Sequence, residues 1–352
     1  MDILAEEKII KKRGVTFLLA RTVSNWGFKN LTKAHVEFAA DLKEIQKKNS
    51  AFLYSGLHRS LWETTGILSA LYLNNLPIPL VGMGDNLIKG KFFVSLAERT
   101  SVFLVKRGNT RRELVESARL LKQYVKSFIT YGRDVLLFPE GTRTSIPREG
   151  RYGNFFPTAF EALLEYEKEK NIITSQNKNL ETQEAYIIPF NSDYSKVREA
   201  YELVGYNKNI PRTLRVWDSL KMLKNIRDVY ISFGEPIKIS GHINKNRKEL
   251  ASMVREKCLD LVKILPINIV SRAIVDSAGG NSINKKDIYD SIDKLKIKLE
   301  SLSDKFRGFS IDDTPEEICS KVSRYNSDYI EPEIGKIPVY QLYANYIHHY
   351  LD

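Results

Sequence analysis

The chain has 352 residues, of which 43% are hydrophobic and 28% charged, a composition typical of a globular protein with a sizeable core. This composition excludes a low-complexity chain, and two cysteines without metal-like spacing argue against a disulfide framework or a zinc site. The net charge of +11 favours an anionic partner, which leaves nucleic acid, an anionic lipid surface and phosphorylated substrates to be distinguished.

The first predicted element is a helical segment at the N-terminus, residues 1–50, with charges at its start and no apolar stretch typical of a signal peptide. The apolar run AFLYSGL (51–57) then predicts a buried strand, and a helix follows over about 61–73. The uncharged stretch 64–84 is long enough to suggest a membrane span. Two asparagines and two prolines interrupt it, so we expect a helix and then a strand instead.

Strands and helices then alternate along the chain. We predict strands at 78–82, 102–107, 134–141 (breaking into a loop at Pro139), 185–190 and 228–236, helices at 91–98, 112–130 and 156–170, and a loop at 171–184. This alternation predicts an α/β fold, a mostly parallel sheet flanked by helices, in a domain over 51–262. The remainder, 263–352, is predicted to be a helical region, referred to below as the C-terminal helical region.

Ligands of parallel sheets bind beyond the carboxyl ends of the strands. His58, Arg107 and Glu140 each follow a predicted strand directly, so we expect them on one rim of the sheet.

The segment HRSLWE contains His58 and, after four intervening residues, Glu63. A carboxylate that accepts a hydrogen bond from the imidazole would fix its tautomer and raise its basicity, which suits a general base. No serine or cysteine nucleophile flanked by elbow glycines is nearby, so His58 would activate a hydroxyl of a substrate. Taken alone, the pair is also compatible with an ordinary helix N-terminus.

Two further segments have the character of phosphate-binding loops. FPEGTRT places Gly141, Thr142 and Arg143 just after a strand, where backbone N–H groups and a guanidinium would face an anion. FLVKRGNTRR places Lys106 and Arg107 at the start of a helix, an end at which cations are unfavourable unless an anion meets them. Each segment alone is also compatible with a solvated surface turn.

Taken together, HRSLWE, VFLVKRG, FPEGTRT and YIIPFNSDYSKVRE resemble, in this order, the four motifs of the glycerolipid acyltransferase family. The flanking segments 76–92, 228–239 and 264–275 resemble the glycerol-3-phosphate and dihydroxyacetone-phosphate acyltransferases more than the short enzymes that acylate lysophosphatidate. Two positions depart from the family pattern. Glu63 stands where the family has aspartate, and Ser145 stands where this branch commonly has a second arginine.

The resemblance implies a direct acyl transfer without cofactor or metal. His58, oriented by Glu63, would take the proton from the sn-1 hydroxyl of glycerol 3-phosphate as it attacks an acyl thioester of coenzyme A or acyl carrier protein, giving lysophosphatidate for phospholipid biosynthesis. The residues expected to bind the substrate are Arg59, Lys106, Arg107, Glu140, Gly141, Thr142 and Arg143.

Three alternatives remain open: a lysophosphatidate acceptor, a dihydroxyacetone-phosphate acceptor, and a catalytically inactive lipid-binding homologue. Nucleic acid is not an expected partner, because the sequence has no zinc pattern, recognition-helix signature or aromatic–basic RNA motif. An amphiphilic product requires access to lipid. We therefore expect a cytoplasmic protein that attaches peripherally to the anionic inner face of the cell membrane.

Overall fold

The structure, a computed structural model, describes residues 33–60, 63–85, 102–106, 108, 110–141, 154–176, 182–197, 200–204, 228–278 and 283–351. The helix predicted at 91–98 and the first 32 residues of the predicted N-terminal segment lie outside this part of the chain.

A mixed sheet, mostly parallel, forms the centre of the molecule. Its strands are β1 (Lys33–Phe38), β2 (Ser50–Gly56), β3 (Leu80–Gly84), β4 (Val102–Val105), β5 (Val135–Leu137), β6 (Glu184–Tyr194), β7 (Asp228–Phe233) and β8 (Ile237–Lys238). The strand order is β1-β7-β6-β2-β5-β3-β4, with β8 also pairing with β6. Strands β2 to β6 run in the same direction, and β6 is antiparallel to its neighbours β7 and β8. At the end of the sheet, β1 pairs with β7 in the parallel sense.

The central strands are buried because helices cover both faces of the sheet. All seven residues of β2 are buried, as the apolar run AFLYSGL predicts for a strand inside a parallel sheet. The helices are α1 (Leu42–Gln46), α2 (Glu63–Leu73), α3 (Arg111–Thr130), α4 (Thr158–Gln176), α5 (Ala200–Leu203), α6 (Arg247–Asp260), α7 (Pro266–Ser277), α8 (Lys285–Lys298), α9 (Pro315–Ser323) and α10 (Ile337–Ala344).

The predicted fold class is therefore confirmed: strands and helices alternate from β2 to β7, around a mostly parallel sheet. The C-terminal helical region contains α7 to α10 and ends in a 3-10 turn, Asn345–Tyr350. It packs on the sheet domain through buried contacts, among them the hydroxyl of Tyr343, which accepts a hydrogen bond of 2.9 Å from the backbone N–H of Val197.

Three local predictions are wrong. Residues 33–38, predicted to be helical, form the strand β1. The loop predicted from residue 171 is helical as far as Gln176, and the strand predicted at 185–190 continues to Tyr194. In β1 the apolar residues Ala34, Val36 and Phe38 alternate with exposed ones over only six residues, and the strand that completes its pairing lies some 190 positions later in the sequence.

The uncharged stretch 64–84 folds as predicted, into most of α2 followed by β3. Among the residues that the structure describes, no helix is both long enough and apolar enough to cross a bilayer.

Candidate active site

The register between β2 and β5 brings two of the predicted site residues together. Ser55 pairs with Leu137, and His58 and Glu140 each lie three residues further on, beyond the carboxyl ends of these parallel strands. Oε1 of Glu140 accepts a hydrogen bond of 3.0 Å from the backbone N–H of His58. Glu140 is buried, so this bond ties the loop after β5 to the turn after β2 in a site with little access to water.

His58 and Glu63 form the pair that the sequence predicts. Nδ1 of His58 lies 2.9 Å from Oε2 of Glu63, and the same oxygen accepts hydrogen bonds from the backbone N–H groups of Arg59 (2.7 Å) and Ser60 (3.4 Å). Glu63 is the first residue of α2, where the helix macrodipole favours a negative charge. Three donors and the helix end therefore hold a fully buried carboxylate against the imidazole.

The glutamate in place of the family aspartate thus reaches the histidine in this fold. With Nδ1–H donating to Glu63, the neutral imidazole carries its basic lone pair on Nε2. The His58 side chain is 19% exposed, so that a substrate can approach the ring from solvent.

The ring of Phe138 fixes the plane of the imidazole. Phe138 follows β5 and stacks on His58, with ring centroids 4.2 Å apart and an angle of 22° between the planes. Sequence reasoning passed over Phe138. Its position inside the motif FPEGTRT was the available signal.

The turn that contains Glu140 depends on the glycine that follows. Gly141 has φ +71°, in the left-handed region that glycine adopts without strain. A Cβ on Gly141 would lie 2.9 Å from Cε2 of Phe156, whose backbone N–H donates to the carbonyl of Pro139 (2.8 Å). The absence of a side chain at Gly141 therefore allows Phe156 to pack against this loop.

Lys106 directly follows β4, at the same rim of the sheet as His58 and Glu140, and is exposed. Its carbonyl accepts a hydrogen bond from the hydroxyl of Ser117 in α3. Arg107, Thr142 and Arg143, three of the residues predicted to bind the substrate, lie outside the described residues. Among the described residues, no cluster of histidine, cysteine, aspartate and glutamate side chains is arranged to hold a metal ion.

Arg59 has a different environment from the one expected. The sequence predicts that Arg59 helps to hold a phosphate, but its side chain is only 1% exposed and forms an ion pair with Asp193 of β6. Its guanidinium carbon also lies 4.4 Å from the ring centroid of Tyr346. Burial raises the pKa of the Asp193 carboxyl, an effect that the charge of Arg59 opposes. A guanidinium in this position is part of the interior of the protein and does not face a ligand in solvent.

Asp193 and Tyr346 were not singled out from the sequence. Asp193 lies within the fourth motif, YIIPFNSDYSKVRE, which offered a signal, whereas nothing local marks Tyr346, which lies more than 280 residues after Arg59.

A comparison with known families agrees with this geometry. Residues 37–192 match the family described as Acyltransferase, a span that contains the strands β2 to β5, most of β6, and the residues of the rim. This part of the chain is similar to the acyltransferase family.

Similar proteins carry more particular names. The glycerol-3-phosphate acyltransferase of Pseudoalteromonas translucida is 22% identical over 86% of this chain and 38% of its own length. The dihydroxyacetone phosphate acyltransferase of Mus musculus is 24% identical over 55% of this chain and 28% of its own length. The glycerol-3-phosphate acyltransferase of Hamiltonella defensa is 24% identical over 68% of this chain and 28% of its own length. The chain thus spans less than two fifths of the length of these relatives.

Proposed function

We propose that this protein transfers a fatty-acyl group from an acyl thioester to the sn-1 hydroxyl of glycerol 3-phosphate, giving lysophosphatidate in phospholipid biosynthesis. The observation that carries the proposal is the His58–Glu63 pair on the rim of a domain that matches the acyltransferase family, with Nδ1 held 2.9 Å from a buried carboxylate. The relatives are named glycerol-3-phosphate and dihydroxyacetone phosphate acyltransferases, and these names support a three-carbon phosphorylated acceptor.

In the proposed reaction, Nε2 of His58 takes the hydroxyl proton as the acceptor oxygen attacks the thioester carbonyl carbon. The carbon–sulfur bond then breaks, and the thiolate leaves with the proton returned from the imidazolium. Glu63 keeps the imidazole in the tautomer that presents Nε2 as the base, and its charge stabilises the transient imidazolium. Thiolate is a good leaving group, so a base and correct positioning are sufficient for this chemistry.

The phosphate of the acceptor is proposed to meet Arg107 and Arg143, with Lys106 as a helper and backbone donors from Gly141 and Thr142. This assignment is supported by the order of the motifs and by the position of Lys106 on the same edge of the sheet as His58. No role as a phosphate ligand is proposed for Arg59, since its guanidinium is buried against Asp193.

Peripheral attachment to an anionic membrane surface at the inner face of the cell membrane is part of the proposal. It is supported by the net charge of +11 and by the lipid nature of the proposed product.

The experiment that tests the function measures acyl transfer by purified protein in lipid vesicles, beside His58→Ala. Acyl-CoA and acyl carrier protein thioesters are each offered with labelled glycerol 3-phosphate, dihydroxyacetone phosphate or lysophosphatidate. We expect glycerol 3-phosphate to be the preferred acceptor and His58→Ala to lose activity by about 10²–10⁴-fold, the range for general-base catalysis. A preference for lysophosphatidate would show that the proposed acceptor is wrong. No turnover with any donor and acceptor would favour a catalytically inactive lipid-binding homologue.

A further inference from the structure

The side chain of Arg59 connects the catalytic turn to the rest of the molecule. Arg59 lies between His58 and Ser60 in the turn from β2 to α2. Its own backbone N–H donates a hydrogen bond of 2.7 Å to Oε2 of Glu63. Its guanidinium points into the interior and pairs with Asp193. The backbone of one residue therefore holds the catalytic carboxylate while its side chain is fixed elsewhere.

Asp193 is itself held firmly. Besides the guanidinium of Arg59, its Oδ2 atom accepts hydrogen bonds from the side-chain amide of Asn191 (2.7 Å) and from the backbone N–H of Lys263 (2.8 Å). Lys263 is the first residue of the C-terminal helical region. One buried carboxylate thus joins β6, the catalytic turn and the entrance to that region.

Tyr346 holds the other side of the guanidinium. The guanidinium carbon lies 4.4 Å from the centroid of the Tyr346 ring, a cation–π contact in a site from which water is excluded. Tyr346 belongs to the 3-10 turn that follows α10, and the neighbouring Tyr343 is bonded through its hydroxyl to both the N–H and the carbonyl of Val197. The end of α10, just before this turn, is therefore anchored to the segment that follows β6.

We infer, on the basis of the proposed acyl transfer, that Arg59 is a positioning residue. Through its side chain, Asp193 of β6 and Tyr346 of the C-terminal helical region set the distance between His58 and Glu63. The physical reason is that the guanidinium fixes the position of the backbone of residues 59 and 60, and the N–H groups of these residues hold Oε2 of Glu63. Misplacement of a reacting group by about 1 Å can cost about 10²-fold in rate. The C-terminal helical region is then part of the catalytic apparatus, although it contributes no group to the chemistry.

The test is a double variant, Arg59→Met together with Asp193→Leu. Removing one partner of a buried ion pair leaves an unpaired charge and is strongly destabilising, whereas replacing both by apolar residues of similar size is often neutral. We expect the double variant to fold with a lower Tm than the wild type, because the Asn191 amide and the Lys263 N–H lose their acceptor, and its kinetics are measured well below that Tm. Its kcat should fall by about 10–100-fold, with the KM values of donor and acceptor changed less than about threefold. A folded double variant with the kcat of the wild type would overturn the proposal.

A matched control is available at the other end of the same strand. Lys170 and Glu184 form an ion pair of 2.9 Å at the amino end of β6, far from the rim. The double variant Lys170→Met with Glu184→Leu removes an ion pair whose side chains are 16% and 35% exposed, and it should keep the kcat of the wild type. An equal loss of kcat in this control would show that the effect at Arg59 reflects a general loss of stability, and it would overturn the proposal.

Two variants of Tyr346 test the role of the C-terminal helical region directly. Tyr346→Phe keeps the ring under the guanidinium and should keep kcat, whereas Tyr346→Leu removes the ring and should lower kcat as the double variant does. Equal kcat values in both variants would contradict the role of Tyr346.

A spectroscopic readout separates this inference from the proposed function. In ¹⁵N-histidine NMR spectra, the wild type should show a protected Nδ1–H signal for His58, assigned by its absence from His58→Ala. That signal should be weakened or lost in the Arg59→Met, Asp193→Leu variant. If the wild type transfers no acyl group but this difference is seen, the proposed function fails and the positioning by Arg59 stands. Identical spectra would overturn the positioning whatever the activity.

Discussion

Nδ1 of His58 lies 2.9 Å from Oε2 of Glu63, and the glutamate reaches this position from the first residue of α2. The carboxylate also accepts hydrogen bonds from the backbone N–H groups of residues 59 and 60. The glutamate side chain therefore spans the distance between the start of α2 and the imidazole. The distance between His58 and the start of the helix is matched to glutamate in this protein, even though the family motif has aspartate.

This match predicts that Glu63→Asp is less active than the wild type, although it restores the family residue. The shorter side chain would leave the carboxylate more than 1 Å from its present position, and a displacement of this size is worth about 10²-fold in kcat. Glu63→Gln keeps the size but removes the charge that stabilises the imidazolium, so a comparable loss is expected. Steady-state kinetics with each variant measures both effects.

The control for these variants is Glu249→Gln. Glu249 also lies in the first turn of a helix, α6, where it completes a capping box with Asn246, away from the rim. Glutamine can also accept the Asn246 N–H, so this variant should keep its stability to within about 0.5 kcal/mol and keep kcat. Full activity of Glu63→Asp would show that α2 shifts to meet the shorter residue.

Glu140 gives a second prediction, because its hydrogen bond to the backbone of His58 assigns it a positioning role in addition to the substrate binding expected from the sequence. Glu140→Gln keeps a carbonyl oxygen that can accept the His58 N–H, whereas Glu140→Ala leaves this buried donor unsatisfied. We expect kcat to be largely kept in Glu140→Gln and to fall about tenfold or more in Glu140→Ala. A rise in the KM for glycerol 3-phosphate in Glu140→Gln, with kcat unchanged, would instead indicate contact with the substrate.

The sequence predicted most of the sheet because the central strands are continuous apolar runs. The strand predicted at 51–57 is β2 at Ser50–Gly56, and the helix predicted at 112–130 is α3 at Arg111–Thr130, whose amphipathic pattern is strong and whose N-terminus is capped by Thr110. Once these strands were known to be parallel, the shared rim of His58 and Glu140 followed from topology alone.

What the sequence could not predict depends on contacts between distant segments. β1 pairs with β7 and is stabilised by a partner almost 200 positions away, so that its six-residue alternation was too short to outweigh the helical pattern around it. Arg59 was placed among phosphate ligands because its charge and motif suggested this, and only tertiary structure shows that its partners are Asp193 and Tyr346. A charged residue next to the proposed catalytic histidine can face either the interior or the solvent, and local sequence does not distinguish the two directions.

A third prediction compares two glycines that flank β5 at opposite ends. Gly141 (φ +71°) follows the strand on the rim, and Gly132 (φ +63°) precedes it on the other edge. Alanine in a left-handed conformation costs about 1–2 kcal/mol, so both Gly141→Ala and Gly132→Ala should lower the free energy of unfolding by similar amounts. Only Gly141→Ala should also lower kcat, since its Cβ pushes against Phe156 and displaces Glu140. Urea unfolding and kinetics on both variants provide the comparison. An equal loss of kcat in both would show that backbone strain alone matters.

A fourth prediction concerns the proposed attachment to membranes. The first turn of α3, beside Lys106 on the rim, carries Arg111 and Arg112 and exposes Leu114 (56%) and Val115 (64%). Sedimentation with anionic vesicles should therefore be reduced in the variant Leu114→Ser, Val115→Ser, and binding by the wild type should weaken as salt rises, because screening shortens the reach of the basic residues.

The control for vesicle binding is Ile297→Ser, which removes an apolar side chain that is even more exposed (74%) from the C-terminal helical region. It should leave sedimentation unchanged. Equal binding of all three proteins, or binding that does not depend on salt, would contradict attachment through the start of α3.

The fifth prediction follows from Asp134, a buried carboxyl on the edge of the sheet opposite the rim. Its oxygens accept hydrogen bonds from the N–H of Phe52 and the side chain of Gln46, yet burial dominates and raises its pKa from 3.8 to about 7. A raised folded-state pKa means that the folded protein binds the proton more tightly than the unfolded chain. The stabilisation is fully present below pH 4 and is lost as the pH rises through about 7.

Replacing this group should therefore change the pH dependence of stability and leave catalysis intact. Three pKa units correspond to a free energy on the order of 4 kcal/mol. In Asp134→Asn, the amide oxygen can still accept the Phe52 N–H, Gln46 can reverse its amide to face the new NH₂, and no charge forms at high pH. The variant should gain free energy of unfolding relative to the wild type as the pH rises from about 4 to about 7, measured by urea unfolding. A difference between the two proteins that stays constant over this range would show that Asp134 does not titrate there.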